Sequence, residues 1–185
     1  FTRNFVKPFD EVLMKAMQDT MKYLCENIQG CVLGYTQSDE ITLVLTDYKK
    51  FTSEPWFDYE VQKMCSIAAG LATLEFNRKM QMYSRTYADT ASDEKEEKQA
   101  EVYAKAVSNG AIFDCRVFNV PKEEVANNLY WRQLDAMRNS IQMLGQANFR
   151  HKELQHKNCR QIKEMLLIQK GLSWDDLPSQ FQRGS

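Results

Sequence analysis

Three consecutive polar residues between two β-prone segments could bind a metal ion and phosphate groups. Ser38, Asp39 and Glu40 follow the apolar segment Cys31–Leu33 and precede a second one, Ile41–Leu45. Two such segments joined by a short polar loop are typical of a β-hairpin. Mg²⁺ prefers oxygen ligands, takes few of them from protein and completes its shell with water and phosphates. The hairpin tip therefore fits a nucleotidyl-transfer centre, although a solvated polar turn would use the same residue types.

Composition limits the range of possible functions. The chain has 185 residues, which suggests one domain, or one domain with a helical appendage. A hydrophobic content of 43% is ample for a packed core. The net charge of −1 gives no global basic field that would attract nucleic acid.

The five cysteines are odd in number and form no Cys-x-x-Cys pair. This argues against a disulfide framework or a zinc site and predicts a reducing, cytoplasmic setting. His151 and His156 have no cysteine or acid at metal-ligand spacing, so we expect both to face solvent or RNA. No apolar run approaches the length of about 18 residues that spans a bilayer, and no signal peptide is visible.

Hydrophobic periodicity predicts four helical regions along the chain. They run from Pro8 to Gly30, from Asp58 to Lys79, from Pro121 to Leu144 and over Glu153–Gln169. Small residues on one face of the second helix would let it lie close to a sheet. The end of the chain, Asp175 to Ser185, is predicted to be a tail.

The region from Met80 to Gly110 differs from the rest of the chain. Its centre, Asp93–Lys98, is a run of charges, which is usually a solvated face. We therefore expect a surface excursion with a short helix near Gln99–Val107. The segment Ile112–Val120 that follows reads as a strand.

The order of elements indicates an α+β fold. A helix, a hairpin, a helix and a strand would form the βαββαβ core of ferredoxin-like folds if one more strand lay before Phe1. Palm domains of polymerases and cyclases share this core, which permits nucleotidyl transfer without proving it. We predict a single palm-like domain over residues 1–185, with a helical C-terminal region from about residue 122.

The neutral total charge hides a basic C-terminal half. Between Asn128 and Lys170 the chain has eight lysines and arginines but only three acids. Phosphate contacts to nucleic acid come from such patches. In the same region, Arg132, Asp135, Asn139 and Gln142 share one helical face. This stripe could hydrogen-bond an RNA backbone, or it could simply face solvent.

Several segments together resemble the tRNA(His) guanylyltransferase family, and most closely its bacterial-type branch. The segments are Lys7–Glu11, Gly34–Glu40, Phe113–Val117, Trp131–Asp135, Arg138–Leu144 and Lys157-Asn158. The resemblance implies a 3′-to-5′ nucleotidyltransferase that repairs truncated 5′ ends of tRNA after activation by ATP. It also implies GTP or another NTP as substrate, and a homotetramer.

The resemblance further implies functions for individual residues. Asp39 would bind one or two Mg²⁺ ions, supported by Glu40, and a second metal-binding carboxylate is expected before Phe1. Such ions lie about 3.5–4 Å apart in two-metal sites. Residues implied to bind the triphosphate are Lys7, Ser38 and Lys63. Residues implied to contact tRNA are Arg116, Arg132, Asp135, Asn139, Lys157 and Asn158.

One departure from the family pattern bears on specificity. Met137 stands where enzymes that read the histidine anticodon carry a histidine, which favours broader tRNA end repair. Two enzymatic alternatives remain, namely addition of a single G to tRNA(His) and a cyclase built on the same palm. A cyclase would want a Gly-Gly-Asp/Glu turn, which Gln37–Glu40 lacks. A third alternative is an RNA-binding homologue with impaired catalysis.

Overall fold

The computed structural model describes residues 1–185, and their backbone forms two compact units. Unit 1 contains residues 1–5 and 10–119, and unit 2 contains residues 6–9 and 120–185. Unit 1 has two hydrophobic clusters and unit 2 has one. No helix has both the length and the apolar character that crossing a membrane requires.

Unit 1 begins with helix α1, Glu11–Asn27. Asp10 is its N-cap, and the Asp10 Oδ1 atom accepts a hydrogen bond from the Leu13 N–H at 2.8 Å. The buried face of α1 carries Ala16, Met17, Thr20 and Leu24, spaced three or four residues apart. This face packs into the clusters of unit 1.

The predicted hairpin is present, but its loop is shorter than expected. Strand β1, Cys31–Gln37, pairs antiparallel with strand β2, Glu40–Leu45. The ladder continues to the pair Gln37↔Glu40, so only two residues form the loop. The apolar segments Cys31–Leu33 and Ile41–Leu45 alone predict a connection that begins at Gly34. Tyr35, Thr36 and Gln37 are buried and paired in the sheet.

Two long helices follow, and the prediction of a surface excursion over Met80 to Gly110 is wrong. Helix α2 runs over Val61–Thr90 and helix α3 over Glu94–Asn109. Met80 and Tyr103 are almost fully buried in one shared cluster. The charged run is the first turn of α3, where Asp93 caps the helix and the acids favour its positive end.

The predicted strand over Ile112–Val120 is also wrong. This segment has no regular secondary structure and pairs with no strand, and hydrogen bonds with side chains of α2 hold its start. The Ala111 N–H donates to Asn77 Oδ1 at 2.8 Å, and the Phe113 N–H donates to Thr73 Oγ1 at 3.0 Å. The ring of Phe113 still packs against the core clusters of unit 1.

Unit 2 contains four helices. They are α4, Val125–Asn148; α5, His151–Leu154; α6, Cys159–Lys170; and α7, Ser179–Arg183. The prediction of a tail from Asp175 is wrong, because Trp174 and Gln182 are buried. The Gln182 amide donates to the carbonyls of Trp174, Asp175 and Leu177, which folds the chain end onto its own cluster.

Candidate functional site

The hairpin turn is held by hydrogen bonds across it. Ser38 and Asp39 are its two loop residues, and Ser38 has a φ of 48°, in the left-handed region. Positive φ at the loop positions is typical of two-residue hairpin turns, and at residues other than glycine it costs conformational free energy. The Thr36 hydroxyl donates to the Glu40 carbonyl at 2.9 Å. The turn therefore presents its two loop side chains in a fixed arrangement.

The two acids of the turn have different surroundings. The Glu40 carboxylate accepts a hydrogen bond from the buried Gln37 amide at 3.0 Å, which orients it. Asp39 is exposed, and no hydrogen bond or ion pair within the chain occupies its carboxylate. Asp39 is therefore the acid of this turn that is open to a ligand.

The residues around Asp39 fit a cation that brings most of its own ligands. The structure contains no group of three or more histidines, cysteines or acids that could hold a metal ion. A single open carboxylate suits Mg²⁺, because this ion keeps several waters and binds substrate phosphates. One carboxylate cannot form a metal site whose ligands all come from the protein.

A left-handed turn precedes α2 and shapes the surroundings of Lys63. Phe57, Asp58 and Tyr59 all have positive φ, and α2 consequently starts three residues later than predicted. The Lys63 ammonium lies 4.6 Å from the centre of the Phe57 ring. A cation over an aromatic face gains about 0.5–1 kcal/mol at an exposed site. Lys63 is thus held by a residue that the sequence analysis did not single out.

Two other predicted cations, Lys7 and Arg116, lie in different units. Arg116 belongs to the segment that follows α3 in unit 1, is highly exposed and pairs with Asp114 at 3.5 Å. Lys7 belongs to the short segment of unit 2 and is exposed. An exposed ion pair contributes little to stability, so the Arg116 guanidinium can exchange Asp114 for another anion.

Helix α4 carries the predicted polar stripe. The Asn139 amide donates to the Asp135 carboxylate at 3.2 Å, and both side chains are exposed. Arg132 is half-buried one turn before Asp135. Met137 packs against the hydrophobic cluster of unit 2. Met137 therefore has a packing role in unit 2.

Lys157 and Asn158 lie at the start of α6. Asn158 is the N-cap: its Oδ1 atom accepts from the Gln161 N–H at 3.0 Å, and the Gln161 side chain accepts from the Asn158 N–H at 3.0 Å. This capping box accounts for an asparagine at this position. Lys157 directly precedes it and is exposed, so its ammonium is accessible.

One buried polar pair of unit 1 was not predicted from the sequence. The Tyr103 hydroxyl donates to Asp10 Oδ2 at 2.7 Å, and both residues are buried. Burial, and then this hydrogen bond, raise the pKa of Tyr103 well above its ordinary value. The two residues are 93 positions apart in the chain, so no local pattern could have revealed the contact.

The structure brings together only some of the predicted residues. One turn joins Ser38, Asp39 and Glu40; α4 joins Asp135 and Asn139; and Lys157 adjoins Asn158. Lys63 and Arg116 belong to unit 1 with the hairpin, whereas Lys7 and Arg132 belong to unit 2. The unit 1 arrangement is that of an α+β protein that exposes one acid on a two-residue turn.

Comparison with known proteins extends this description. The model of the tRNAHis guanylyltransferase (Thg1) family matches residues 1–121. A bacterial Thg1-like protein solved in complex with ATP is 40% identical, with a TM-score of 0.84 over 99% of this chain and 71% of that one. A bacterial Thg1-like protein in complex with GTP is 36% identical, with a TM-score of 0.76 over 99% of this chain and 66% of that one.

Two further proteins are similar to the chain at lower sequence identity. The tRNA(His) guanylyltransferase of Saccharomyces cerevisiae is 19% identical, covers 98% of this chain and 75% of its own, and at a TM-score of 0.72 shares the fold. The uncharacterized protein R259 of Acanthamoeba polyphaga mimivirus is 29% identical over 189 residues. The chain aligns over 96% of its own length and spans 62% of the length of that relative.

The fold and the hairpin turn define a protein of the palm-like α+β class, as predicted. Within that class, the chain belongs to the tRNAHis guanylyltransferase family. This is a family of nucleotidyltransferases, and the match to the Thg1-like proteins confirms the branch that the sequence motifs indicated.

Proposed function

We propose that this protein adds nucleotides in the 3′-to-5′ direction to truncated 5′ ends of tRNA, guided by the opposite strand of the acceptor stem. The open Asp39 carboxylate on a fixed hairpin turn is the single observation that carries this proposal. It is supported by family membership and by the ATP and GTP complexes of two similar bacterial proteins.

The proposed reaction has two steps that balance without a protein nucleophile. An oxygen of the 5′-monophosphate attacks the α-phosphorus of ATP, and pyrophosphate leaves. The 3′-hydroxyl of the incoming NTP then attacks the activated 5′-phosphorus and loses its proton, and AMP leaves. Catalysis of such steps is mostly positioning and electrostatic stabilisation. Lys7, Ser38 and Lys63 are the proposed donors to the triphosphate.

Asp39 is the proposed protein ligand of Mg²⁺, with Glu40 as its neighbour held by Gln37. The ion would neutralise charge on the reacting phosphates. A second ion with a further carboxylate stays a prediction, as do the homotetramer and the cytoplasmic location.

The residues proposed to contact tRNA are Arg116 in unit 1 and Arg132, Asp135, Asn139, Lys157 and Asn158 in unit 2. Arg116 and Lys157 are the exposed cations among these residues, and each is expected to contact phosphate. Removing one phosphate contact should lower the salt dependence of binding by about one released ion. The test compares the tRNA affinities of wild type, Arg116→Ala and Lys157→Ala at several salt concentrations. Unchanged affinities and slopes would exclude these residues from the interface.

The repair function can be distinguished from addition of a single G to tRNA(His). Met137 is half-buried and offers only a weak thioether acceptor, so it cannot read an anticodon base by strong hydrogen bonds. We expect addition to several truncated tRNAs, with the added base set by the templating base. Single-nucleotide addition should be measured on truncated tRNAs that differ in anticodon and in templating base. Addition that follows the histidine anticodon and ignores the templating base would replace the repair function with guanylyl addition.

A further inference from the structure

The connection between β2 and α2 presents two aromatic rings and two lysines on the protein surface. Tyr48, Lys49, Lys50 and Phe51 follow one another directly, and we call them the aromatic–lysine loop. Tyr48 is 63% exposed and Phe51 is 106% exposed, which means that the chain covers none of the Phe51 ring. Both lysines are exposed as well.

This loop is an ordered turn. The Ser53 N–H donates to the Lys50 carbonyl at 3.0 Å, and the Lys50 N–H donates to the Ser53 hydroxyl at 3.2 Å. These two bonds close a turn that has Phe51 at its centre. The base of the connection is fixed by a hydrogen bond from the Gln29 amide to the Glu54 carbonyl at 3.0 Å.

Packing explains Trp56 of this connection but not Phe51. Trp56 packs against the cluster of Leu24, Ile28 and Ala72. Phe51 contributes to no cluster of unit 1 and stacks on no other ring, although it lies only five residues before Trp56. An apolar ring fully in water gains nothing for the fold, so its role has to be sought in an interaction with another molecule.

The charges of the loop narrow the choice of that molecule. Residues 48–53 contain two lysines and no acid, and neither ammonium forms an ion pair. Aromatic faces beside lysines suit single-stranded nucleic acid, because bases stack on the rings while the lysines neutralise phosphates. A continuous apolar patch, which a protein partner would need, is interrupted here by the two charges.

We propose that the aromatic–lysine loop stacks on unpaired nucleotides of the RNA substrate. In a tRNA these are chiefly the nucleotides of the single-stranded 3′ end. This inference rests on the proposed function, since it takes tRNA as the substrate. Paired bases offer no free face to a ring, so the loop would recognise the single strand beside the acceptor stem and leave the stem itself to other residues.

The test measures the affinity of the protein for one tRNA with its unpaired 3′ nucleotides and for the same tRNA without them. Phe51→Ser should weaken binding of the first RNA about fivefold or more and leave binding of the second unchanged. Ile112→Ser is the matched control, because Ile112 is 91% exposed and has no lysine neighbour. A 2-aminopurine placed in the 3′ strand should be quenched by wild type and much less by Phe51→Ser.

A lysine pair provides the second comparison. Lys49→Gln with Lys50→Gln should weaken binding of the intact tRNA and lower its salt slope, whereas Lys95→Gln with Lys105→Gln, on exposed positions of α3, should not. The inference is overturned if Phe51→Ser behaves like Ile112→Ser, or if it weakens both RNAs equally. If wild type binds neither RNA, the proposed function itself fails. If wild type binds both and the loop variants match it, only this inference fails.

Discussion

The start of α1 and the hairpin turn each carry an aspartate, and the two residues have opposite surroundings. Asp10 is buried and accepts hydrogen bonds from the Leu13 N–H at 2.8 Å and from the Tyr103 hydroxyl at 2.7 Å. Asp39 is exposed, and its carboxylate has no partner within the chain. An acid whose oxygens are bonded internally holds the fold, whereas an acid with open oxygens is available to a ligand.

The largest effect is expected from Asp39→Asn. The substitution keeps the shape of the turn but removes the charge that would attract Mg²⁺. A metal ion supplies several kcal/mol of transition-state stabilisation, so the rate of nucleotide addition should fall by about a thousandfold or more. Single-turnover addition to a truncated tRNA measures this rate.

The stability of the same variant is the control. Because Asp39 is exposed, Asp39→Asn should leave the free energy of unfolding within about 0.5 kcal/mol of wild type. Addition at nearly the wild-type rate by this folded variant would show that the hairpin turn is only a solvated turn. Asp39 would then differ from Asp10 in exposure but would have no role in the reaction.

The next largest effect is expected at the other aspartate. Tyr103→Phe removes the hydroxyl that donates to Asp10 and leaves one carboxylate oxygen buried without that partner. The cost should be about 1–3 kcal/mol in the free energy of unfolding, measured by urea denaturation. Asp10→Ala should cost a similar amount, since it removes the cap of α1 as well as this bond.

The double variant measures the coupling free energy between the two side chains of the Asp10–Tyr103 pair. If the hydrogen bond is what matters, Asp10→Ala combined with Tyr103→Phe should cost clearly less than the sum of the single variants. Additive losses would mean that the two side chains stabilise the protein independently. Asp10 would then be no more than a helix cap.

The same contrast shows what the sequence could and could not predict. The hairpin and the class of fold followed from local patterns, because alternating β-prone residues around a polar turn specify a hairpin without help from the rest of the chain. The pairing of Asp10 with Tyr103 depends on how α1 and α3 meet in one hydrophobic cluster of unit 1, which no local pattern encodes.

The wrong predictions have the same physical origin. The charges of Asp93–Lys98 suggested a solvated excursion, but Tyr103 and Ala106, further along the same helix, are buried in the core. The segment Ile112–Val120 has the composition of a strand, yet a strand requires a paired neighbour. Instead, Ala111 just before it bonds to Asn77, and the Phe113 N–H bonds to Thr73. Tertiary packing outweighed local propensity in both places.

Alkaline titration tests the Asp10 region in another way. The pKa of Tyr103 is raised in the folded protein by burial and by Asp10, with Tyr87 beside it. A raised pKa means that the neutral phenol favours the fold. This stability is complete below about pH 10, the ordinary tyrosine pKa, and is lost as the pH rises above it.

The expected slope is about 1.4 kcal/mol per pH unit for each such group. The free energy of unfolding should therefore decline above pH 10 in wild type and decline less steeply in Tyr103→Phe. Tyr83, whose pKa is raised to about 12 by burial and by its hydrogen bond to Asp19, should account for part of the remaining slope. Equal slopes in the two proteins would show that Tyr103 is solvated in solution.

The smallest effect on stability and on nucleotide addition is expected at Ser38, whose backbone is strained and whose hydroxyl is proposed to bind the triphosphate. Ser38 has a φ of 48°, which costs an L-residue other than glycine roughly 1 kcal/mol. Ser38→Gly should therefore raise the free energy of unfolding relative to Ser38→Ala by about 1 kcal/mol, while both variants lack the hydroxyl proposed to bind the triphosphate. If the hydroxyl matters, the KM for NTP should rise to a similar extent in both variants despite their different stabilities. A rise in Ser38→Gly alone would mean that the rigidity of the turn serves the reaction and the hydroxyl does not. Wild-type KM values in both variants would leave Asp39 as the one loop residue of this turn with a functional role.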